Sequence, residues 1–253
     1  PGVARALADE LRAAGAEIRT GAAVAAVAPR ARRLELRLRG AGPLRPRFAV
    51  FCAGLWADRL AVGAGADPDP RIVPFRGAWL RLRPERRELV RGLIYPVPDP
   101  ALPFLGVHLS RHTSGDVLIG PTALLAPARD AYDLRRVRPR DLASTIAWPG
   151  SWRMFARWWR TGAVELHHAA SREAFVRAAR RYVPELTIGD VEPGSLSGIR
   201  AQALGRDGRL VDDFVFSRTE RALHVRNAPS PAATSALAIA RVVAGEVEPA
   251  LSR

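Results

Sequence analysis

The chain has 253 residues, which is enough for one large domain or two smaller ones with a substantial core. Its 39 basic and 25 acidic residues give a net charge of +14, which ordinarily suggests a nucleic acid or an anionic membrane as partner. All the basic residues are arginine and they are scattered along the chain, so a compositional bias explains the charge better than a dedicated basic face does. Aromatic residues do not alternate with a basic stripe, and we therefore expect no nucleic-acid partner.

The single cysteine, Cys52, excludes a disulfide framework and a cysteine-based metal site, and it favours a reducing compartment. No stretch of eighteen apolar residues is present, and the first eleven residues have the pattern of an amphipathic helix rather than of a signal peptide. We therefore expect a cytoplasmic location, with peripheral attachment to a membrane left open. No histidine and carboxylate set has metal-ligand spacing, so no metal is predicted.

The first sixty residues predict an α/β unit, in which the chain crosses between layers. Strict alternation predicts a half-exposed strand over Leu34–Leu38, and a continuous apolar run predicts a strand covered on both faces at 48–53. Gly54 ends that run. The remaining predicted elements are a helix at 3–13, strands at 16–19 and 21–27, and a short helix at 55–62.

The middle of the chain predicts a second domain built on an antiparallel sheet. Residues 63–70 are rich in glycine, aspartate and proline, which predicts a loop that connects the two domains. Residues 79–83 alternate between apolar and polar residues, which predicts a strand. Residues 104–109 and 116–120 predict a hairpin around 114–115. Helices are predicted at 142–147, 152–159 and 171–182, and further strands at 198–203 and 210–216. One helical face carries four aromatic residues, which predicts packing in the core: Trp152, Phe155, Trp158 and Trp159.

The stretch 223–240 predicts a buried strand, a turn broken twice by proline, and a helix over 232–244. Ser230 has the position of an N-cap, and Pro231 that of the first helical residue. The N–H groups at such a helix start, together with the helix dipole, suit an anion or an electron-rich ring edge. An ordinary strand–helix turn is the alternative interpretation.

Several segments carry a family resemblance when they are taken together. They are residues 51–58 (FCAGLWAD), 72–77 (IVPFRG), 93–100 with 103–108, 197–202 (SGIRAQ) and 210–214 (LVDDF). The set resembles FAD-dependent oxidoreductases of the D-amino-acid oxidase type, and most closely the L-2-hydroxyglutarate oxidase/dehydrogenase branch, over residues 3–243. The family's first unit carries a GxGxxG turn that binds the FAD pyrophosphate. This chain has no such motif, so it resembles the later part of the family's enzymes.

The resemblance implies a fold of the α/β plus α+β class. A partial, Rossmann-like FAD-binding domain would comprise residues 1–64, an antiparallel-sheet substrate domain would be inserted at 65–195, and the chain would return to the FAD-binding domain at 196–253. Without the pyrophosphate-binding turn, we expect this chain alone to bind FAD with a dissociation constant weaker than about micromolar. We also expect an N-terminal segment to be missing.

The activity implied by the resemblance is FAD-dependent oxidation of a 2-hydroxy acid, L-2-hydroxyglutarate to 2-oxoglutarate, with oxygen or a quinone as electron acceptor. Three other hypotheses stay open. In the first, the chain would be an amine-oxidising relative. In the second, it would be a non-catalytic fragment that interacts with an upstream partner chain. In the third, it would bind other molecules through its basic surface, and the flavin residues would be vestiges.

For the substrate side, the resemblance assigns Arg200 to a substrate carboxylate, which a guanidinium matches with two parallel hydrogen bonds. Gln202 lies one pleat away on the same strand face. His108 is assigned as acceptor of the hydroxyl proton. Arg76 and Tyr95 are further candidates for the pocket. The alternative interpretation of Arg200 is an ordinary surface arginine, and that of His108 is a hydrogen-bonded histidine near a sheet edge.

For the cofactor side, the resemblance places Ala53 and Gly54 against FAD, because a larger side chain there would block the approach of the backbone. Val27 would flank the adenine. The second flavin contact is assigned to the turn before the last helix, at Ser230, Ala232, Ala233 and Thr234.

Overall fold

The structure, a computed structural model, describes residues 2–97, 106–133 and 135–251. The six α-helices are α1 Gly2–Ala13, α2 Ala57–Gly63, α3 Pro139–Ile146, α4 Pro149–Ala170, α5 Arg172–Ala179 and α6 Ala236–Leu251. The strands are β1 Val24–Pro29, β2 Leu34–Leu38, β3 Ala49–Phe51, β4 Arg71–Arg81, β5 Leu93–Ile94, β6 His108–Arg111, β7 Val117–Gly120, β8 Leu124–Leu125, β9 Leu196–Leu204, β10 Val215–Thr219 and β11 Ala222–Asn227.

The largest sheet has six strands and is organised around β4. Its order is β5-β6-β7-β4-β8, and β9 also pairs with β4. The ladder between β4 and β9 is antiparallel and runs without interruption from Arg71 opposite Leu204 to Trp79 opposite Leu196. Because paired residues point to the same face of a sheet and neighbours alternate, this ladder fixes which side chains share a surface.

The smaller sheet has the order β10-β11-β3, and its β11–β3 pair is parallel. A separate hairpin, β1–β2, packs beside it. Val27, Leu34, Leu36 and Phe51 join one buried cluster between these elements and α2. All six residues of β11 are buried, including the polar residues His224, Arg226 and Asn227.

Helices cover the large sheet. One core cluster joins Leu82, Leu109 and Ile119 of the sheet region to Phe175 of α5. A second joins Val73 and Phe75 of β4 to Met154 of α4. The start of α4 is fixed by Trp148, whose indole Nε1 donates to the carbonyl oxygen of Leu204 at 3.1 Å.

Most predicted elements are present, but several differ. The predicted strand at 16–19 is irregular, and the strand expected at 210–216 begins only at Val215. The hairpin of β6 and β7 is confirmed from His108 onward, whereas residues 98–105, with the remainder of that prediction and part of the 93–100 and 103–108 segments, lie outside the described residues. Strand β9 belongs to the large sheet, so the chain returns to the smaller sheet at β10.

The last helix begins at Ala236, four residues later than predicted, and Ser230 is therefore not its N-cap. Residues 230–235 form successive turns instead. The hydroxyl of Thr234 donates to the Pro231 carbonyl at 3.0 Å, and the Ser235 N–H donates to the same oxygen at 3.2 Å. An alanine-rich sequence tolerates a helix but does not mark its start, so local hydrogen bonds decide where it begins.

Candidate functional site

One face of the large sheet carries Arg200 and Gln202. Arg200 pairs with Phe75 and Gln202 with Val73, so all four side chains project from the same side of the β4–β9 ladder. Arg200 reaches solvent, yet the surrounding protein removes part of its hydration and lowers the pKa of the guanidinium. An arginine that is partly stripped of water binds a carboxylate more strongly than a fully solvated one does.

Gln202 is 4% exposed, and its amide is committed to backbone groups. The Nε2 group donates to the carbonyl oxygens of Ala203, at 3.1 Å, and of Val211, at 3.0 Å. The Val211 carbonyl also accepts from Nδ2 of Asn227 at 3.1 Å. The only glutamine and the only asparagine of the chain thus meet at one oxygen, and they link β9 to the end of β11.

His108 and Tyr95 form a stacked pair, with ring centroids 4.3 Å apart. The edge of His108 also meets Trp79, at 5.0 Å, and Trp79 lies on the β4 face that Phe75 and Arg200 share. The Tyr95 hydroxyl is 3.2 Å from the hydroxyl of Ser110. His108, Tyr95, Arg200 and Gln202 therefore belong to one side of the sheet.

The environment of His108 fixes its protonation. Burial lowers the pKa of the imidazole below its usual 6.5, which keeps the ring neutral at pH 7. Its Nδ1 lies 3.1 Å from the carbonyl oxygen of Gly106. A carbonyl only accepts, so Nδ1 carries the hydrogen in this contact and Nε2 is the acceptor atom of the ring.

Arg76 does not join this group. It pairs with Ile199, which places it on the opposite face from Arg200. Its Nε donates to the carbonyl oxygen of Tyr132 at 2.8 Å. The geometry gives Arg76 a role in holding the loop that contains Tyr132.

The cofactor-side candidates lie at the carboxyl ends of two parallel strands. Ala53 and Gly54 follow β3 after one residue, Cys52, and the turn containing Ser230 follows β11. Ligands of open α/β sheets bind outside this edge. Gly54 has φ +49, and a Cβ built there would meet no atom within 4 Å, so the backbone borders open space that a flat ring can approach.

The other cofactor-side residues divide by exposure. Ser230, Ala233 and Thr234 are exposed in the turn, and Ala232 is half-buried. Val27, by contrast, is 7% exposed and packs in the core against the β1–β2 hairpin and β3. The structure thus leaves the turn available to a ligand and gives Val27 a packing role.

Two features beside the site were not predicted from the sequence. The first is a buried ion pair, in which the Arg129 guanidinium binds both carboxylate oxygens of Asp58, with Nη2 at 2.7 Å from Oδ2. Arg129 also donates to the carbonyls of Leu55 and Ile72. Asp58 lies within the FCAGLWAD segment, but its partner is 71 residues away, which no local pattern reveals.

The second is an apolar cavity of about 520 Å³ under α4, on the side of the sheet that Phe75 faces. Its walls include Phe75, Leu125, Trp158 and Leu210. Glu165 is the one carboxylate in the wall; it accepts the Ala123 N–H at 2.6 Å, and burial raises its pKa.

Comparison with known proteins agrees with this architecture. A family model described as FAD dependent oxidoreductase matches residues 1–246. L-2-hydroxyglutarate dehydrogenase of Nematostella vectensis, a mitochondrial protein, is 50% identical over 206 residues, covering 79% of the chain and 45% of the relative. The mitochondrial protein of the same name from Homo sapiens is 45% identical over 210 residues, covering 81% and 45%. The relative from Salmonella houtenae is 40% identical over 246 residues, covering 97% and 58%. The chain thus spans about half the length of these relatives.

Solved structures share the fold at lower identity. L-alpha-glycerophosphate oxidase from Mycoplasma pneumoniae, with FAD bound, matches with a TM-score of 0.61 at 20% identity, over 89% of this chain and 50% of that one. Glycerol-3-phosphate dehydrogenase from Bacillus halodurans, complexed with FAD, matches with a TM-score of 0.56 at 17% identity, over 94% and 41%.

Proposed function

The chain belongs to the FAD-dependent oxidoreductase family, and on this premise we propose that it forms the substrate-binding part of an enzyme that oxidises L-2-hydroxyglutarate to 2-oxoglutarate. One observation carries the proposal. His108, Tyr95, Arg200 and Gln202 share one side of the β4 sheet, and Gln202 and Asn227 join that sheet to the end of β11 through a single carbonyl oxygen.

The family's cofactor is FAD, and the residues present fit one edge of it. Gly54 borders open space at the end of β3, and the exposed turn at 230–234 follows the parallel strand β11. When bound, FAD supplies the acceptor for the hydride that leaves the hydroxyl-bearing carbon. Among the described residues no strand pairs with the second edge of β3, so we propose that a further strand, from a dinucleotide-binding unit, pairs there.

His108 is the proposed proton acceptor. The reaction removes a hydride from carbon and a proton from the hydroxyl oxygen, and the neutral ring offers Nε2 to that proton. The stacked Tyr95 holds the ring plane, because its own hydroxyl is tied to Ser110.

Arg200 is the proposed carboxylate-binding residue. Arg200 pairs with Phe75, and His108 contacts Trp79, which lies four residues further along β4. The backbone distance between these two positions is therefore about 13 Å. A substrate that contacts both Arg200 and His108 must be extended, and the long arginine side chain spans part of the distance. A five-carbon dicarboxylate with one hydroxyl meets this requirement.

The electron acceptor is proposed to be oxygen or a quinone. The cavity under α4 favours a quinone, because its walls are almost wholly aromatic and aliphatic and it lies on the Phe75 side of the sheet.

The test compares Arg200→Ala with Arg76→Ala, a matched arginine on the opposite face. The protein is joined to a dinucleotide-binding unit, and kcat/KM is measured for L-2-hydroxyglutarate and for analogues that lack either carboxylate. Arg200→Ala should cost about 2–5 kcal/mol, roughly 30- to several-thousand-fold, with L-2-hydroxyglutarate and much less with the analogue that lacks the bound carboxylate. Arg200→Lys should also be impaired, because it loses the two-pronged geometry. Equal losses with every substrate, or the same loss in Arg76→Ala, would refute the assignment, and faster turnover of glutamate would favour an amine oxidase.

A further inference from the structure

A row of residues across the large sheet leads from Trp79 to His108. His108 of β6 pairs with Gly120 of β7, and the neighbouring ladder, which pairs Leu80 with Ile119, brings Gly120 beside Trp79 of β4. A Cβ built at Gly120 would lie 2.7 Å from Cε3 and 2.8 Å from Cδ2 of the Trp79 indole. The indole therefore occupies the space above Gly120 that a side chain would need.

This arrangement brings side chains of two strands that are not neighbours into contact. Adjacent strands lie about 4.8 Å apart, so β4 and β6, with β7 between them, are separated by about 10 Å. The Trp79 indole spans that gap over the bare backbone of Gly120 and meets His108 with ring centroids 5.0 Å apart. A side chain at position 120 would displace the indole and break this contact.

Two aromatic rings confine the His108 imidazole from two directions. Tyr95 stacks on it with 26° between the ring planes, whereas the Trp79 indole is nearly perpendicular to it, at 80°. The torsion that turns a histidine ring about its Cβ–Cγ bond is broad, so an unconfined ring takes several orientations. A stacked neighbour limits the tilt of the imidazole, and a perpendicular neighbour limits its rotation.

The orientation of the ring decides which nitrogen is available. Nδ1 lies 3.1 Å from the Gly106 carbonyl oxygen, so it carries the hydrogen and leaves Nε2 as acceptor. A ring that rotated would lose this hydrogen bond, and its neutral form would divide between two tautomers. In one of these tautomers Nε2 already carries a hydrogen and cannot accept a proton.

We propose that Trp79 is a positioning residue, whose indole, laid across Gly120, holds the His108 imidazole in the orientation that leaves Nε2 available to the hydroxyl proton. This role rests on the proposed function of His108 as proton acceptor. Trp79 acts through the imidazole and needs no contact with the substrate. Within residues 2–97, 106–133 and 135–251, the partners of the ring are two aromatic side chains and a backbone carbonyl, with no charged group among them. Aromatic packing therefore holds the ring.

The first test is nuclear magnetic resonance of the 253-residue protein with ¹⁵N-labelled histidine at neutral pH, which needs neither FAD nor turnover. The chain has five histidines, and His108→Gln identifies the signals of His108. Two-bond correlations between ring protons and ring nitrogens distinguish the two tautomers. We expect a single tautomer with the hydrogen on Nδ1 in the parent protein and in Trp79→Phe, which keeps a ring over Gly120, and a mixture in Trp79→Leu. Trp152→Leu, a matched loss of an indole on α4, should leave the His108 signals unchanged.

The second test measures flavin reduction by L-2-hydroxyglutarate in the protein joined to a dinucleotide-binding unit. Trp79→Leu should slow reduction by about ten- to a hundredfold, because the imidazole is present but misdirected. The loss should be smaller than that of His108→Ala, and substrate affinity should change little. Trp79→Phe should restore most of the rate.

Three results would overturn the role of Trp79. The first is a single Nδ1 tautomer that persists in Trp79→Leu, and the second is an equal disturbance of the His108 signals by Trp152→Leu. The third is an unchanged reduction rate in Trp79→Leu although the tautomers are mixed. A parent protein whose flavin L-2-hydroxyglutarate fails to reduce would instead refute the proposed function, whereas the tautomer measurements would still show whether Trp79 orients the ring.

Discussion

Removal of one member of the Asp58–Arg129 ion pair should be among the most destabilising single substitutions in the fold. Asp58 is 4% and Arg129 2% exposed, so neither charge has water to replace its partner. Besides the guanidinium, the carboxylate accepts the N–H of Arg59 at 2.8 Å and that of Ile72 at 3.1 Å. These contacts connect α2 to β4 and to the loop that contains Arg129, which places the end of β3 beside the large sheet.

Asp58→Ala leaves a buried guanidinium with carbonyl contacts only. Removing one member of a buried pair costs about 3–5 kcal/mol, because the other charge stays uncompensated. The double variant Asp58→Ala/Arg129→Met should be less damaged than Asp58→Ala, since it removes that charge and keeps most of the volume. Arg12→Ala, which breaks an exposed pair with Asp9, is the control and should change stability by less than about 1 kcal/mol.

Urea unfolding of the four proteins measures these differences, provided that the slope against urea concentration is unchanged. A cost below about 1 kcal/mol for Asp58→Ala would refute the reasoning. A double variant with a lower free energy of unfolding than Asp58→Ala, as expected if the two substitutions acted independently, would also refute it.

Two further predictions concern histidines. In the protein joined to a dinucleotide-binding unit, His108→Ala should slow flavin reduction by about 10²- to 10⁴-fold in rapid-mixing experiments, with a smaller effect on substrate affinity; an unchanged rate across pH would assign the ring a structural role. His224 is fully buried and stacked on Phe51, and burial and the nearby Arg226 lower its pKa from the usual 6.5 to about 4. Between pH 6.5 and 4, His224 is protonated in the unfolded chain but stays neutral in the folded one. The free energy of unfolding should therefore fall as the pH drops from 6.5 towards 4, by up to about 1.4 kcal/mol per pH unit. His224→Phe should remove this part of the pH dependence of urea unfolding, and identical curves for the two proteins would contradict the assignment.

The sequence predicted elements well where one local pattern decides them. Leu34–Leu38 alternates without exception and forms β2 over those residues. The hairpin of β6 and β7 follows from two apolar runs around a short polar turn. Residues 16–19 lack such a pattern, and the short apolar run there does not pair.

Pairing over long distances could not be predicted in the same way. The full length of β4 depends on β9, which lies more than a hundred residues later, and its own sequence contains Pro74 and Gly77. The alternation of β9 did place Arg200 and Gln202 on one face. It could not reveal that Arg76 lies on the opposite face, or that Gln202 and Asn227 share the Val211 carbonyl. Nor could it reveal that Trp152 and Trp159 are mostly exposed instead of buried in the core, because each of these features depends on which element packs opposite.

The most direct test of the proposed function is anaerobic reduction of bound FAD by L-2-hydroxyglutarate, in the protein with a dinucleotide-binding unit joined ahead of residue 1. The loss of the oxidised flavin absorbance band is followed after mixing, with D-2-hydroxyglutarate as the matched control and dithionite to show that the flavin is reducible. We predict rapid bleaching by the L enantiomer and little by the D enantiomer. Flavin that dithionite reduces but L-2-hydroxyglutarate leaves oxidised would contradict the account.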